Sequence, residues 1–231
     1  MTAIAIFVKT PGLSPVKTRL AAVSGQAWAE RWHAKAAWAV AEAASAAAAG
    51  PVYWAVAESQ AEARACWTEL PVLEQGNGGL GDRMSRVMDS LVHLHGSALL
   101  LGADAPQVSP ACLEQAAAWL SAPDPRLCLG PARDGGFWTF GANRAPDRKR
   151  WTSVRYSQHS TSTDFRQAMQ DLGQWLTLPS LTDLDRAEDL AAVINELAAM
   201  NQPQPRQRAL LAWLRQQALS ANADTASIQK C

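Results

Sequence analysis

Cations, carboxylates and glycines are set close together in five short stretches of this chain. The first, FVKTPGLSPVKTRL at residues 7–20, follows the apolar run AIAIF and places Lys9, Lys17 and Arg19 in a loop with almost no large apolar side chain. Gly12 lets backbone approach a ligand closely, and Lys17 and Arg19 are suited to pair with phosphate oxygens. The spacing fits neither a Walker A loop nor a GxGxxG fingerprint; as an ordinary surface loop, the same residues would only be solvated. In LLLGADAP, 99–106, Asp104 stands at the end of an apolar run. A carboxylate there is costly unless it is solvated or paired, and a cation bound by oxygen ligands is a natural partner. Its alternative role is that of a turn residue before Pro106.

Three further stretches complete the set. In GPARDGGFW, 130–138, Asp134-Gly135-Gly136 is a tight-turn signal, and Arg133, Phe137 and Trp138 add a mixture of charge and aromatic surface that suits a sugar or polar acceptor. A plain hairpin turn is the simpler reading. In LTDLDRAEDL, 181–190, Asp183 and Asp185 alternate, so in an extended segment they point the same way. Asp185 is also placed to cap a helix starting at Arg186. In NGGLGDRM, 77–84, glycines precede a helix carrying Arg83, an entry able to meet a flat base through its backbone.

The elements that must position these residues follow from apolar periodicity. Strands are expected at 3–8, 52–57, 71–75, 97–104, 126–132 and 135–142, with an extended stretch at 175–181. Helices are expected at 26–49, 59–67, 80–95, 109–121, 161–172, 186–200 and 206–219, with Ser59 and Ser109-Pro110 as start signals. Strands alternating with helices imply an α/β fold: one domain with a mostly parallel sheet covered on both faces. In such sheets ligands bind beyond the carboxyl ends of the strands, where most of the loaded loops fall. Residues 1–200 are expected to form the domain, and 201–231 a C-terminal helix and flexible tail.

Composition narrows the classes. The chain has 231 residues, 48% of them hydrophobic, and its 21 Lys and Arg balance 21 Asp and Glu. That balance argues against a general nucleic-acid or anionic-membrane binder, which needs a broad cationic face. The cysteines at 66, 112, 128 and 231 form no CxxC pair, so neither a zinc site nor a disulfide framework is expected. No apolar run is long enough to span a membrane, and no secretory leader is visible, which points to a cytoplasmic protein. Trp28, Trp32, Trp38, Trp119 and Trp213 sit among Ala and Leu at helical spacing and read as packing residues.

The five stretches, in this order, resemble a family of bacterial nucleotide-diphospho-sugar transferase-like proteins, described as glycosyltransferases and in some genomes linked to arsenosugar biosynthesis. The resemblance spans about residues 3–200. It implies the single-domain Rossmann-like sheet shared by nucleotide-sugar glycosyltransferases and by nucleotidyltransferases such as phospholactate and molybdenum-cofactor guanylyltransferases. It also implies roles. Lys9, Thr10, Gly12, Lys17 and Arg19 would wrap the nucleotide phosphates, and Gly79 to Arg83 would help form the base pocket. Asp104, with Asp185 as second carboxylate, would hold Mg²⁺ or Mn²⁺. Asp134, Gly135, Gly136 and Trp138 would face the sugar or acceptor, with Trp151 and His159 beside them, from the segment WTSVRYSQHST. Lys17, Asp104 and Asp134 would carry the chemistry. The chain departs from the family pattern at Ala103 and Ala105, where Thr and Cys are usual, and at Phe137 and Trp138, where Tyr-like residues are usual.

Three functions are therefore open. A metal-dependent glycosyltransferase would move a sugar from a nucleotide-sugar to a small acceptor. A nucleotidyltransferase would join a nucleoside triphosphate to a phosphorylated small molecule and release pyrophosphate. A non-catalytic nucleotide-binding protein would keep the fold without turnover. None of them needs nucleic acid or a membrane span, and a monomer or a homodimer would serve.

Overall fold

The structure is a computed structural model and describes the backbone of residues 1–228 and the side chains of residues 1–217. Among the described residues, the strands β1 (Thr2–Val8), β2 (Val52–Val56), β3 (Val72–Glu74), β4 (Ser97–Gly102), β5 (Arg126–Pro131), β6 (Phe137–Ala142) and β7 (Gln174–Thr177) form one sheet in the order β3-β2-β1-β4-β6-β5-β7. The β1 strand runs parallel to β2 and β4, β2 to β3, and β5 to β7. The β6 strand is antiparallel to both of its neighbours. The expected mostly parallel α/β sheet is what the chain forms.

Alternation along the strands builds two cores. On β1 and β4, Ile4, Ile6, Val8, Leu99 and Leu101 face one side, and Ala3, Ala5, Ala98 and Leu100 face the other. The first face is covered by α2 (Gln26–Ala46), by the Trp67 region that follows α3 (Gln60–Ala63), and by α5 (Pro110–Leu120). The second is covered by α4 (Leu80–His95), α6 (Arg148–Thr152) and α7 (Thr161–Ala168), where Phe140, Trp151 and Phe165 pack edge to face. Each such aromatic pair adds about 0.5–1.5 kcal/mol beyond its area burial.

A third cluster lies outside the sheet and holds the site's flanks. It joins Leu20 of α1 (Thr18–Ser24), Trp32 and Ala36 of α2, Leu184, Val193 and Leu197 of α8 (Leu190–Ala198), and Leu210 and Leu214 of α9 (Pro205–Ile228). Gln207 pins α9 further, its amide donating to the carbonyls of Pro106 and Val108 at 2.7 and 2.8 Å.

Local signals placed most ends. Ser109 caps α5, accepting from Cys112 N–H, with Pro110 at the first position. Ser59 and Glu62 form a reciprocal capping box at α3. The differences have local causes. Residues 18–24, which the apolar pattern assigned to no helix, form α1 because Leu20 buries in the third cluster. The short α6, not expected, starts where the Asp147 carboxylate accepts from Lys149 N–H at 2.7 Å. A 3-10 turn at Ala187–Asp189 precedes α8. The last helix runs on from residue 219 to Ile228, since no Gly or Pro interrupts it. The remainder of the expected polar tail, 229–231, lies outside the described residues.

Gln207, Leu210 and Leu214 anchor α9 to the rest of the fold. Truncation after Leu219 should leave the melting temperature unchanged. Truncation before Pro205 strips Leu210 and Leu214 from the third cluster and should lower it by on the order of 10 °C or more. Equal melting of the two truncated proteins would contradict this.

Candidate active site

The strand order reverses between β2 and β4, on either side of β1. A parallel sheet opens a crevice at such a point, beyond its carboxyl ends. The loops after β1 and β4 lie there. Because β6 runs against the rest, the β5–β6 turn carrying Asp134 reaches the same edge. Residues 181–185 join it through the Ala132–Leu181 bridge. Together they line an open cleft of about 1140 Å³. That volume suits a nucleotide-sized ligand.

Lys17 sits at the centre of one wall. Its ammonium lies 2.8 Å from Asp104 Oδ2 and 2.5 Å from Asp185 Oδ1, with the side chain only 5% exposed. The backbone of Lys17 is left-handed, at φ 45° and ψ 48°. That conformation is costly for a residue with a Cβ and persists where surroundings enforce it. Burial pushes the ammonium toward neutrality, but the two carboxylates outweigh it and hold its pKa well above the usual lysine value. Burial likewise pushes Asp104 up, while Lys17 and then His33 hold it well below the usual carboxylate range. Arg19, by contrast, is 59% exposed and lies 3.7 Å from Asp185 Oδ2.

His33, on α2, backs Asp104. Its Nε2–H donates to the Lys9 carbonyl at 3.0 Å, since a carbonyl only accepts. Its Nδ1 lies 3.6 Å from Asp104 Oδ1. Neither atom has a hydrogen-bond partner. The segment entering the cleft at Thr182 is fixed by Glu196 of α8. Its carboxylate accepts from Thr182 N–H and hydroxyl, from the Gln107 amide and from Arg133 Nε, at 2.7–3.0 Å. Leu184 is fully buried behind this segment, so Asp183 and Asp185 turn into the cleft on either side of it. Asp185 is not the helix cap. The Asp189 carboxylate takes that place, accepting from the N–H groups of Asp185 and Arg186 at 3.1 and 2.8 Å.

A second cluster shares Asp185. One oxygen from each of Asp134, Asp183 and Asp185 lies within 4.8 Å of the others. Burial first, then the Asp134 carboxylate, pushes Asp183 up to about 7; Asp104 and Asp185 add to the rise, and Lys17 opposes it. Asp134 Oδ1 accepts from Gly136 N–H at 2.7 Å, and His159 Nδ1–H donates to the Asp134 carbonyl at 2.8 Å. Gly135, at φ +94°, is required here: a Cβ would stand 2.0 Å from the His159 carbonyl oxygen.

Several expected site residues have partners within the protein. Thr10 is buried, its N–H and hydroxyl both donating to Glu58 Oε2. Trp138 lines the cleft but is largely buried, its ring packed over Gly130 and its indole N–H donating to the Pro179 carbonyl. Trp151 is fully buried against Phe140 and Phe165, so it offers no surface to an acceptor. Arg83 turns back onto its own loop, donating to the Gly78 carbonyl and to Gln75 Oε1. Gly79 starts α4, while its neighbours Leu80 and Met84 line the cleft. Gly12 is left-handed at φ 81° and donates to Glu30. Lys9 lines the cleft, donating to the Pro15 carbonyl. Asp104 and Asp185 meet through Lys17 rather than as a free carboxylate pair. His33 and Glu196 were not singled out, because a single His in an Ala-rich helix and a helical Glu carry no spacing signal.

The sequence profile of a family described as "Uncharacterized protein conserved in bacteria (DUF2064)" matches residues 29–158, more than half of the chain. The protein belongs to this family. None of the curated proteins matches it. The fold of this DUF2064 protein is similar to a crystal structure from Desulfovibrio desulfuricans G20 that carries the provisional description nucleotide-diphospho-sugar transferase. The TM-score is 0.80 at 22% identity, over 93% of this chain and 97% of the other. A nucleotidyl transferase from Methanothermobacter thermautotroptrophicus superposes with a TM-score of 0.54 at 11% identity, over 86% of this chain and 99% of that one. CMP:2-keto-3-deoxy-manno-octonic acid synthetase complexed with CTP gives 0.50 at 11%, over 86% and 99%. At these identities the likeness establishes the nucleotide-diphospho-sugar transferase fold.

Asp183 yields a test by pH, with Asp134, Asp104, Asp185 and Lys17 as the charged groups around it. An aspartate in an unfolded chain titrates near ~3.9; in the folded chain Asp183 titrates at about 7. Between those values the folded state holds the extra proton, so this group's contribution to stability falls as pH rises and the full penalty is present above pH 7. Without added divalent cation, Asp183→Asn should therefore be more stable than the parent at pH 8 and similar to it at pH 4, by urea unfolding. The same difference at both pH values would remove Asp183 from this account.

Proposed function

We propose that the protein is a transferase that binds a nucleotide in the carboxyl-edge cleft together with a divalent cation and passes a sugar from a nucleotide-sugar to a small acceptor. One observation carries this reading: four Lys and Arg and six Asp and Glu line one cleft at the switch point of the sheet, with three of the carboxylates converging. A polyphosphate is repelled by such an excess of carboxylates unless a cation enters with it.

The residues fit Mg²⁺ or Mn²⁺. Asp134, Asp183 and Asp185 offer hard oxygen ligands within 4.8 Å of one another. The raised Asp183 pKa marks a cluster short of positive charge, and the unpartnered Asp104 Oδ1 adds an acceptor close by. A cation bound there would neutralise the leaving diphosphate. Lys9 and Arg19, on the loop after β1, would hold phosphate oxygens. Lys17 keeps the loops after β1 and β4 and the 183–185 segment in register. Asp134 and His159 stand at the acceptor end. With Nδ1–H of His159 donating to the Asp134 carbonyl, Nε2 is the ring's remaining acceptor and is suited to take a hydroxyl proton. The acceptor oxygen would bond to the anomeric carbon as the bond to the diphosphate breaks, the electron pair leaving on the nucleoside diphosphate.

Nucleotidyl transfer is the second reading, favoured by the likeness to the nucleotidyl transferase fold. Incubation with each nucleoside triphosphate or nucleotide-sugar and Mg²⁺ separates the two: nucleoside diphosphate marks glycosyl transfer and pyrophosphate marks nucleotidyl transfer. Loss of Arg19 should weaken nucleotide binding roughly ten- to a hundredfold, the equivalent of one charge-assisted hydrogen bond. Its exposure predicts an unchanged melting temperature for ligand-free Arg19→Ala. Unchanged nucleotide affinity in this variant, or binding that survives chelation of divalent cations, would overturn the reading.

A further inference from the structure

Asp185 belongs to two groups at once, and it cannot serve both fully. Its Oδ1 lies 2.5 Å from the Lys17 ammonium and its Oδ2 lies 3.7 Å from Arg19. It is also one of the three carboxylates that converge with Asp134 and Asp183. Its backbone has little freedom to resolve the conflict, because Asp189 holds its N–H and Leu184 is buried beside it.

We infer that Lys17 is a displaceable counter-ion: in the cation-free protein it occupies Asp185, and a divalent cation at the Asp134–Asp183–Asp185 cluster competes with it for that carboxylate. The inference rests on the cation site proposed above and adds what this chain's own lysine does there. The left-handed backbone of Lys17 fits this role, since strain is retained where the side chain must be delivered to one place. The buried ammonium has two of its three N–H groups committed, to Asp104 and Asp185. When Asp185 is withdrawn, Asp104 still holds the side chain at the cleft wall, and an N–H is released for a substrate phosphate oxygen. Cation and nucleotide therefore favour each other's binding, and by linkage the effect is reciprocal. Lys9 and Arg19 differ in kind, because neither is buried between carboxylates.

The experiment is a Mn²⁺ titration by calorimetry, without nucleotide, on the parent, Lys17→Met and Lys9→Met. Lys17→Met should bind Mn²⁺ tighter by on the order of tenfold, the competing charge-assisted bond being gone. Lys9→Met removes the same charge from the same cleft without touching Asp185 and should change the affinity far less. If Lys17→Met folds poorly, Lys17→Gly replaces it, since glycine accepts the left-handed backbone without strain. For either variant, Mn²⁺ should raise the melting temperature more than it does for the parent. Binding by the parent with no gain in the Lys17 variants, or an equal gain in Lys9→Met, overturns the inference and leaves the cation site standing. No Mn²⁺ binding by the parent or the variants overturns both.

Discussion

The Lys17 ammonium, held between Asp104 and Asp185, is the interaction on which the geometry of the cleft depends. It ties the end of the loop after β1 to the loop after β4 and to the segment that enters α8. These partners stand 87 and 168 residues away in the chain. Lys17 is buried while Asp104 and Asp185 are about a third exposed, so solvent screens the pairs in part, yet removing a carboxylate still leaves a buried ammonium less compensated. The ion pair is therefore a structural joint as well as a feature of the site. Glu196 makes a second joint, gathering Thr182, Gln107 and Arg133.

Both joints work because apolar anchors stand beside the charges. Leu20 follows Lys17 and Arg19, and Leu184 lies between Asp183 and Asp185; each is buried in the cluster made by α1, α2, α8 and α9. The chain alternates between a side chain that fixes the backbone and one that enters the cleft. Sheet topology supplies the rest. Parallel strands bring the loops after β1 and β4 to one edge, and the reversed β6 brings the Asp134 turn there too.

Much of this was legible in the sequence, because it depends on short-range patterns. Apolar runs gave the strands, Ser109-Pro110 and Ser59 gave helix starts, and glycine with charge after a strand pointed to the loops that meet at the cleft. What was not legible depends on pairing across the fold. Thr10 resembles a ligand-binding hydroxyl until Glu58, 48 residues on, takes it. Trp151 looks like acceptor surface because aromatics suit both a sugar and a core; only the faces of the finished sheet decide. Arg83 is captured by its own glycine loop. His33 and Glu196 sit in helices whose local sequence marks nothing, and their roles come from Asp104 and Thr182, brought to them by tertiary packing.

Two cations of one motif, Lys17 and Arg19, show how burial divides labour. They are two residues apart, yet one is 5% exposed and the other 59%. A compact ammonium on a flexible stem fills a closed gap between carboxylates, whereas a planar guanidinium at the surface, only loosely paired with Asp185, is suited to meet a phosphate with paired N–H groups. The same division runs through the carboxylates. Asp104 is neutralised by Lys17 and stays ionised, while Asp183, farther from that cation and closer to Asp134, is pushed toward protonation. The cleft is thus compensated on the Lys17 side and short of positive charge on the Asp134 side. This imbalance lies within one cavity and has Asp185 at its boundary, which makes that carboxylate the point where any incoming cation must be felt.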